Sequence, residues 1–193
     1  MPRHGPRSPR ARGGQPKTPA EIAAVLQQQF GPAVTDASPD ALDPFVTVEP
    51  ARLVEVCAFL RDDPRLKFAL LNDITGVDYL ETDPKKVAKA GFDPHLEVLY
   101  HLSSFAVPGR RFTLKLMLLR WKDDVVGQLP EVPSVSGVWK TADWHEREVY
   151  DLVGVFFTGH PNLVRILLND DWVGHPLRKD YEFPLEYHGI RCR

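Results

Sequence analysis

Two stretches near the middle of the chain restrict its fold more than any other feature. His95–Ser103 sets Leu96, Val98, Tyr100 and Leu102 against Glu97, Leu99 and His101. Arg111–Trp121 sets Phe112, Leu114, Leu116 and Leu118 against Thr113, Lys115, Met117 and Leu119. Side chains alternate between the two faces of a strand, so each stretch has one face to bury. Phe105-Ala106-Val107-Pro108-Gly109 lies between them as a turn, which makes the pair an antiparallel hairpin. A third strand precedes them over Lys67–Tyr79, with a bulge expected at Gly76. Asp83–Asp93, with Lys85, Lys86 and Lys89, reads as a polar surface loop.

Helices come before these strands. Thr18-Pro19-Ala20-Glu21 is a capping box with proline at the first helical position, followed by Ile22, Val25, Leu26 and Phe30 at helical spacing. Gly31-Pro32 stops that helix, and a short extended pair follows around Ala33–Asp36 and Phe45–Val48. Pro50 opens a second helix, with Leu53, Val54, Cys57 and Leu60 on one face, and Asp62-Asp63-Pro64 ends it. The order is helix, two strands, helix, three strands. That order gives an α+β two-layer sandwich: a mixed sheet with helices on one face, followed by one more helix and an irregular C-terminal arm. In the later helix, Asp143 is expected as the cap with Glu146 three positions on.

Composition narrows the function. Residues 1–17 hold Arg3, Arg7, Arg10, Arg12 and Lys17, four prolines and no acid, which reads as a disordered basic tail. The rest of the 193-residue chain carries 19 basic and 26 acidic residues, so it would repel nucleic acid. No apolar run reaches the roughly 18 residues of a membrane span, and no apolar h-region follows the arginines. Two cysteines, Cys57 and Cys192, cannot supply the four thiolates of an ordinary iron–sulfur cluster. Cys57 reads as a small core residue.

The character changes after Pro130. Leu129–Gly137 is a proline-punctuated connection, Val149, Leu152, Val153 and Phe156 form a helical stripe, and turns fall at Gly159 and Gly174. The arm from 156 to 193 carries Phe157, Trp172 and Tyr181 with little periodicity, so it is expected to lie on the domain's own surface or on a partner, with residues 18–155 as the core. Enzyme patterns fail one by one. His145-Glu146 lacks the second histidine of a zinc protease, since position 149 is valine. His145, His160 and His175 would have to converge to hold a metal, yet two of them precede proline in separate turns. Glu146, Glu148 and Asp151 are read as structural carboxylates held by Arg147, Arg165 and Arg178, within the chain or on a partner. No P-loop, G-x-G-x-x-G or G-x-S-x-G motif occurs. No catalytic, cofactor-binding or metal-binding residue is therefore assigned.

One run is specific. Trp144-His-Glu-Arg-Glu-Val-Tyr-Asp-Leu-Val-Gly-Val-Phe-Phe-Thr-Gly-His-Pro, continued by Arg165-Ile-Leu-Leu and Asp171-Trp-Val-Gly-His-Pro-Leu-Arg-Lys-Asp-Tyr, closely resembles the C subunit of respiratory complex I. This is the 30 kDa subunit family of proton-translocating NADH:quinone oxidoreductase. Asp73-Ile-Thr-Gly-Val-Asp-Tyr and Val132-Pro-Ser-Val extend the resemblance more weakly. Val153, Asn162 and Val164 depart from the family pattern. The resemblance implies a non-catalytic peripheral-arm subunit, with NADH, FMN, iron–sulfur clusters and quinone all bound by other subunits. It implies docking on the hydrogenase-like D subunit and the cluster-bearing B subunit, and membrane association only through the complex, at the cytoplasmic face of a bacterial inner membrane rather than in a mitochondrial matrix. It marks Trp144, Glu146, Arg147, Glu148, Asp151, Gly154, Phe157, Gly159, His160, Pro161, Arg165, Trp172, Gly174, His175, Pro176, Arg178, Lys179, Asp180 and Tyr181 as motif and interface residues. The equivalent subunit of a membrane-bound hydrogenase or other complex-I-like dehydrogenase, and a free-standing non-redox binding module, are the alternatives.

Overall fold

A computed structural model describes residues 18–192, so the basic tail assigned to residues 1–17 lies outside the described residues. Helix α1 (Pro19–Phe30) starts at its capping box. Thr18 Oγ1 accepts the Glu21 amide at 3.2 Å and Glu21 Oε2 accepts the Thr18 amide at 2.9 Å. Strands β1 (Val34–Ser38) and β2 (Phe45–Val48) pair antiparallel. Helix α2 (Leu53–Asp62) buries Leu53, Val56, Cys57 and Leu60. Val54, expected on that face, is instead exposed, one helical step round from the stripe.

Strand β3 (Leu70–Tyr79) follows, then a single-turn helix α3 (Pro84–Val87) inside the expected surface loop. The hairpin strands are β4 (His95–Ser103) and β5 (Arg111–Leu118), in register from Leu96↔Leu118 to Ser103↔Arg111. The five strands lie in the order β1-β2-β5-β4-β3. Only the β2–β5 pair is parallel, which makes the sheet mixed. Leu96, Val98, Tyr100 and Leu102 are buried with Phe112, Leu114 and Leu116, together with the inner faces of α1 and α2. Strand β6 (Glu131–Pro133), helix α4 (Ala142–Val153) and strand β7 (Phe156–Thr158) complete the core layer, β6 and β7 pairing parallel. A two-residue hairpin, β8 (Glu186–Tyr187) with β9 (Ile190–Arg191), closes the arm.

Two local expectations need correction. The irregularity in β3 falls between Leu71 and Asp73, and Gly76 sits in regular pairing with Val98. What requires glycine at 76 is the helix above it. A Cβ there would stand 3.0 Å from both Val149 Cγ1 and Val153 Cγ2, so the missing side chain lets α4 lie directly on the strand. Asp143, likewise, does not cap α4. Residue 141 precedes the helix with no side-chain cap bond, and the turns Val135→Val138, Val135→Trp139 and Trp139→Ala142 already lead the backbone into it. Asp143 sits in the first turn and Glu146 points inward.

Gly76→Ala is expected to destabilise the chain by about 1–3 kcal/mol, the usual result of overpacking. Gly137→Ala, where an added Cβ meets nothing within 4 Å, is expected to stay within about 0.5 kcal/mol of the parent. Urea midpoints of the two variants measure the contrast.

Candidate subunit-docking interface

Helix α4 runs into Gly154, whose φ of 78° is left-handed and whose amide reaches Tyr150 and Val149 carbonyls. The His175 ring stands directly over its α-carbon, so only glycine satisfies both the turn and the approach. One turn earlier, Asp151 is fully buried and organises the arm. Its Oδ2 accepts the amides of Ile166, Leu167 and Leu168 at 3.0, 2.8 and 2.9 Å. Its Oδ1 accepts Arg165 Nη1 at 2.6 Å. Arg165 also donates to the carbonyls of Trp172 and Gly174, and His175 Nδ1 lies 3.0 Å from the Asp151 carbonyl. Burial alone would raise the Asp151 carboxyl, but these donors hold it below the ordinary carboxylate value. Burial pushes His175 down, which suits a neutral imidazole donating to a carbonyl.

A second tie lies at the far end of the sheet. Asp78, with no side-chain exposure, takes Arg120 Nε and Nη2 at 2.7 and 2.8 Å in a two-pronged ion pair. Its Oδ2 also accepts the Lys179 amide at 2.9 Å, and Arg120 Nη2 reaches Asp180 Oδ1 at 2.8 Å. Arg178 is buried beside them. It donates to the carbonyls of Val153 and Arg120, and its guanidinium lies 3.8 Å over the Trp121 ring. The Arg178-Lys179-Asp180 triplet thus fastens the arm to β3 and to the residues after β5.

The third cluster is Glu146. It is fully buried, and its carboxylate accepts Ser134 Oγ and the Val135 amide, both at 2.6 Å. Among the described residues no arginine reaches it, although Arg147, Arg165 and Arg178 are the candidates within the chain. His160, also without side-chain exposure, is 3.9 Å away, with Nε2 at 3.0 Å from the Asp143 carbonyl and 3.2 Å from Asp143 Oδ1. His160 Nδ1 lies 3.0 Å from the Asn162 amide nitrogen, which donates to it. Burial therefore wins at Glu146 and pushes its carboxyl up to about 7. Buried Cys57 and Tyr100, on α2 and β4, feel the same carboxylate.

The remaining motif residues divide by exposure. Phe157 is in the core, and Arg147 donates to the carbonyls of Val164 and Arg165. Trp172 packs against Phe183 and Tyr187 at ring distances of 5.9 and 4.9 Å, so it anchors the arm upon itself. Tyr181 stacks edge-on to Phe183. Gly159 and Gly174 turn the chain with φ of 78° and 81°, and Pro161 and Pro176 follow the two histidines. Trp144 and Glu148 are exposed, Trp144 under the Arg147 guanidinium. His145, His160 and His175 face Asp73, Asp143 and the Asp151 carbonyl respectively. Val164, Leu167, Val173, Leu177, Leu185 and Ile190 are all exposed on the arm, interspersed with exposed charged residues such as Asp170, Lys179, Glu182 and Glu186. A cleft of about 750 Å³ at the tip of the β4–β5 hairpin involves none of the motif.

Residues 46–187 match the family described as "Respiratory-chain NADH dehydrogenase, 30 Kd subunit". The chain belongs to this family. It is 41% identical over 175 residues to the C subunit of NADH-quinone oxidoreductase from Chloroherpeton thalassium, covering 90% of this chain and 65% of that one. It is 45% identical over 152 residues to the corresponding C subunit from Roseiflexus sp. strain RS-1, covering 75% and 77%. The chain thus spans just under two thirds of the length of the Chloroherpeton relative. Among solved structures, a trypsin-resistant fragment (1-134) of Nqo5 aligns with a TM-score of 0.54 at 27% identity, covering 74% of this chain and 98% of that one. The α+β fold with its mixed sheet is therefore the fold of the 30 kDa subunit family.

Asp78 and Ser134 entered the sequence analysis only within the weaker stretches of the family resemblance, and Arg120 did not enter it at all. Asp78 and Arg120 carried a signal. Each occupies the apolar parity of its strand, following Ile74 and Gly76 in β3 and Leu116 and Leu118 in β5. A charge at such a position is buried and needs a partner.

Asp151→Ala leaves three amides and the Arg165 guanidinium without their acceptor, and is expected to cost about 3–5 kcal/mol. Hydrogen exchange of Ile166–Leu168 should accelerate before that of the sheet. Glu146 generates a pH prediction of the opposite kind. Its folded pKa lies above the unfolded value of 4.5, so its contribution is present in full below 4.5 and is lost as pH rises through about 7. Glu146→Gln is expected to be more stable than the parent at pH 8, by at most about 3 kcal/mol, and to lose that advantage near pH 4. Denaturant melts across that pH range measure the difference.

Proposed function

We propose that this chain is a non-catalytic peripheral-arm subunit of a proton-translocating NADH:quinone oxidoreductase, buttressing the module that reduces quinone. Flavin, clusters, NADH and quinone belong to the other subunits. The chain docks on the hydrogenase-like D subunit and the cluster-bearing B subunit, and is held at the cytoplasmic face of a bacterial inner membrane through the complex. Among the described residues no helix is long and apolar enough to cross a membrane.

The observation that carries this reading is the two-sided arm of a chain matched to the family over residues 46–187. Its inner side is tied by Asp151 and Asp78, while its outer side presents Val164, Leu167, Val173, Leu177, Leu185 and Ile190. Apolar side chains displayed on a surface fixed from behind are the pattern of a docking face. The division between a core of residues 18–155 and an arm of 156–193 is accordingly a division of role. The arm is built on the domain and offered to partners.

Affinity purification of the tagged chain from its native membrane tests the proposal. The expected result is co-purification of flavin, iron–sulfur proteins and NADH-oxidising quinone reductase activity. A monodisperse chain with no iron–sulfur partners would overturn it. Val173→Glu, at a side chain 85% exposed, should leave the urea midpoint of the free chain unchanged and weaken recovery of the complex by about 2 kcal/mol.

A further inference from the structure

We infer that the outer edge of β3, from Asp73 to Val77, seats an extended segment of a partner protein chain that sets a lysine or arginine against Glu148. This rests on the reading of the chain as one member of a larger complex, and adds a second contact on a different element from the arm.

β3 is the terminal strand of the five, paired with β4 on one side only. Among the described residues, nothing forms a backbone–backbone hydrogen bond with its outer side between Asp73 and Val77. The ends of the edge are covered. Thr141 Oγ1 donates to the Leu71 carbonyl above this stretch, and below it the Lys179 amide donates to the Asp78 side-chain carboxylate, bringing the arm beside the strand. Edge strands are normally blunted by lysine, proline or a covering element, and Asp73-Ile-Thr-Gly-Val has neither residue. An open ladder bounded at both ends fits a short added strand.

The wall beside this edge specifies the added strand. A cleft of about 240 Å³ runs between the β3 edge and α4, floored by Val149, Leu152 and Leu177. It takes one apolar side chain of the incoming segment. Glu148 and Asp73 also line it. Asp73 is engaged by Thr75 Oγ1 at 2.5 Å and His145 Nδ1 at 3.4 Å, whereas Glu148 has no ion pair among the described residues. An apolar and a cationic side chain two residues apart on an extended backbone fall on the same face, and so match the floor and Glu148 together while the backbone pairs with the edge. The chain's own basic tail fits less well. Pro2, Pro6, Pro9 and Pro16 lack the amide that ladder pairing requires, and the tail joins α1, which lies by β1 at the opposite edge.

The test compares the purified complex with the free full-length chain. Amides within 73–77 are expected to exchange more than about tenfold more slowly in the complex. A photo-crosslinking side chain at Thr75 should capture a lysine- or arginine-containing peptide of another subunit. Glu148→Lys should cut recovery in the complex by about tenfold with an unchanged urea midpoint, and Glu148→Gln by less. Crosslinking to residues 1–17 of the same chain, or equal exchange in both states, overturns the edge assignment and leaves the proposed function intact. A chain that co-purifies with no other protein overturns both.

Discussion

Everything after Val153 depends on the Asp151 carboxylate. The stretch from 159 to 185, between β7 and the β8–β9 hairpin, has no helix or sheet to satisfy its backbone, and a buried carboxylate cannot remain without donors. Each solves the other's problem. The three consecutive amides of Ile166–Leu168 converge on one oxygen as they would on a bound anion, and Arg165 balances the charge while holding the carbonyls of Trp172 and Gly174. An irregular stretch of chain thereby acquires a defined shape with very little regular structure.

The other two buried acids are managed differently. Asp78 is matched by Arg120, and the pair extends to the Lys179 amide and Asp180, so a charge inside the sheet becomes the fastening for the end of the arm. Glu146 has only a hydroxyl and one amide, in a buried site beside the His160 ring. Asp151, with three amides and a guanidinium, is held below the ordinary carboxylate value, whereas burial pushes Glu146 up.

The fold was legible where a single period ruled. The parity of His95–Ser103 and Arg111–Trp121 gave the hairpin and its buried face, and Thr18-Pro19-Ala20-Glu21 marked the start of α1. The docking motif was legible as a pattern but not as contacts, because Glu146, Asp151 and Arg178 find partners that lie far away in the chain. Glu146 binds Ser134 and Val135 rather than an arginine, and Trp172 turns toward Phe183 and Tyr187 rather than outward. Periodicity reports which face a side chain occupies, while the identity of its neighbour depends on how elements cross. Gly76 shows the same limit: its lack of a side chain was visible, but α4 above it was not.

The parallel pairing of β2 with β5 also governs the order in which the chain can assemble. β5 is the strand on which both halves of the sheet meet, yet it leaves the ribosome long after β1, β2 and their helices. Until it emerges, the N-terminal hairpin and α2 have no sheet to rest upon, whereas β3, β4 and β5 can zip together through neighbouring contacts. The β1–β2 hairpin and its helices therefore complete their burial only once β5 is in place. The bond between the Lys179 amide and the Asp78 carboxylate joins residues 101 positions apart, so it ties the arm to a strand made long before it.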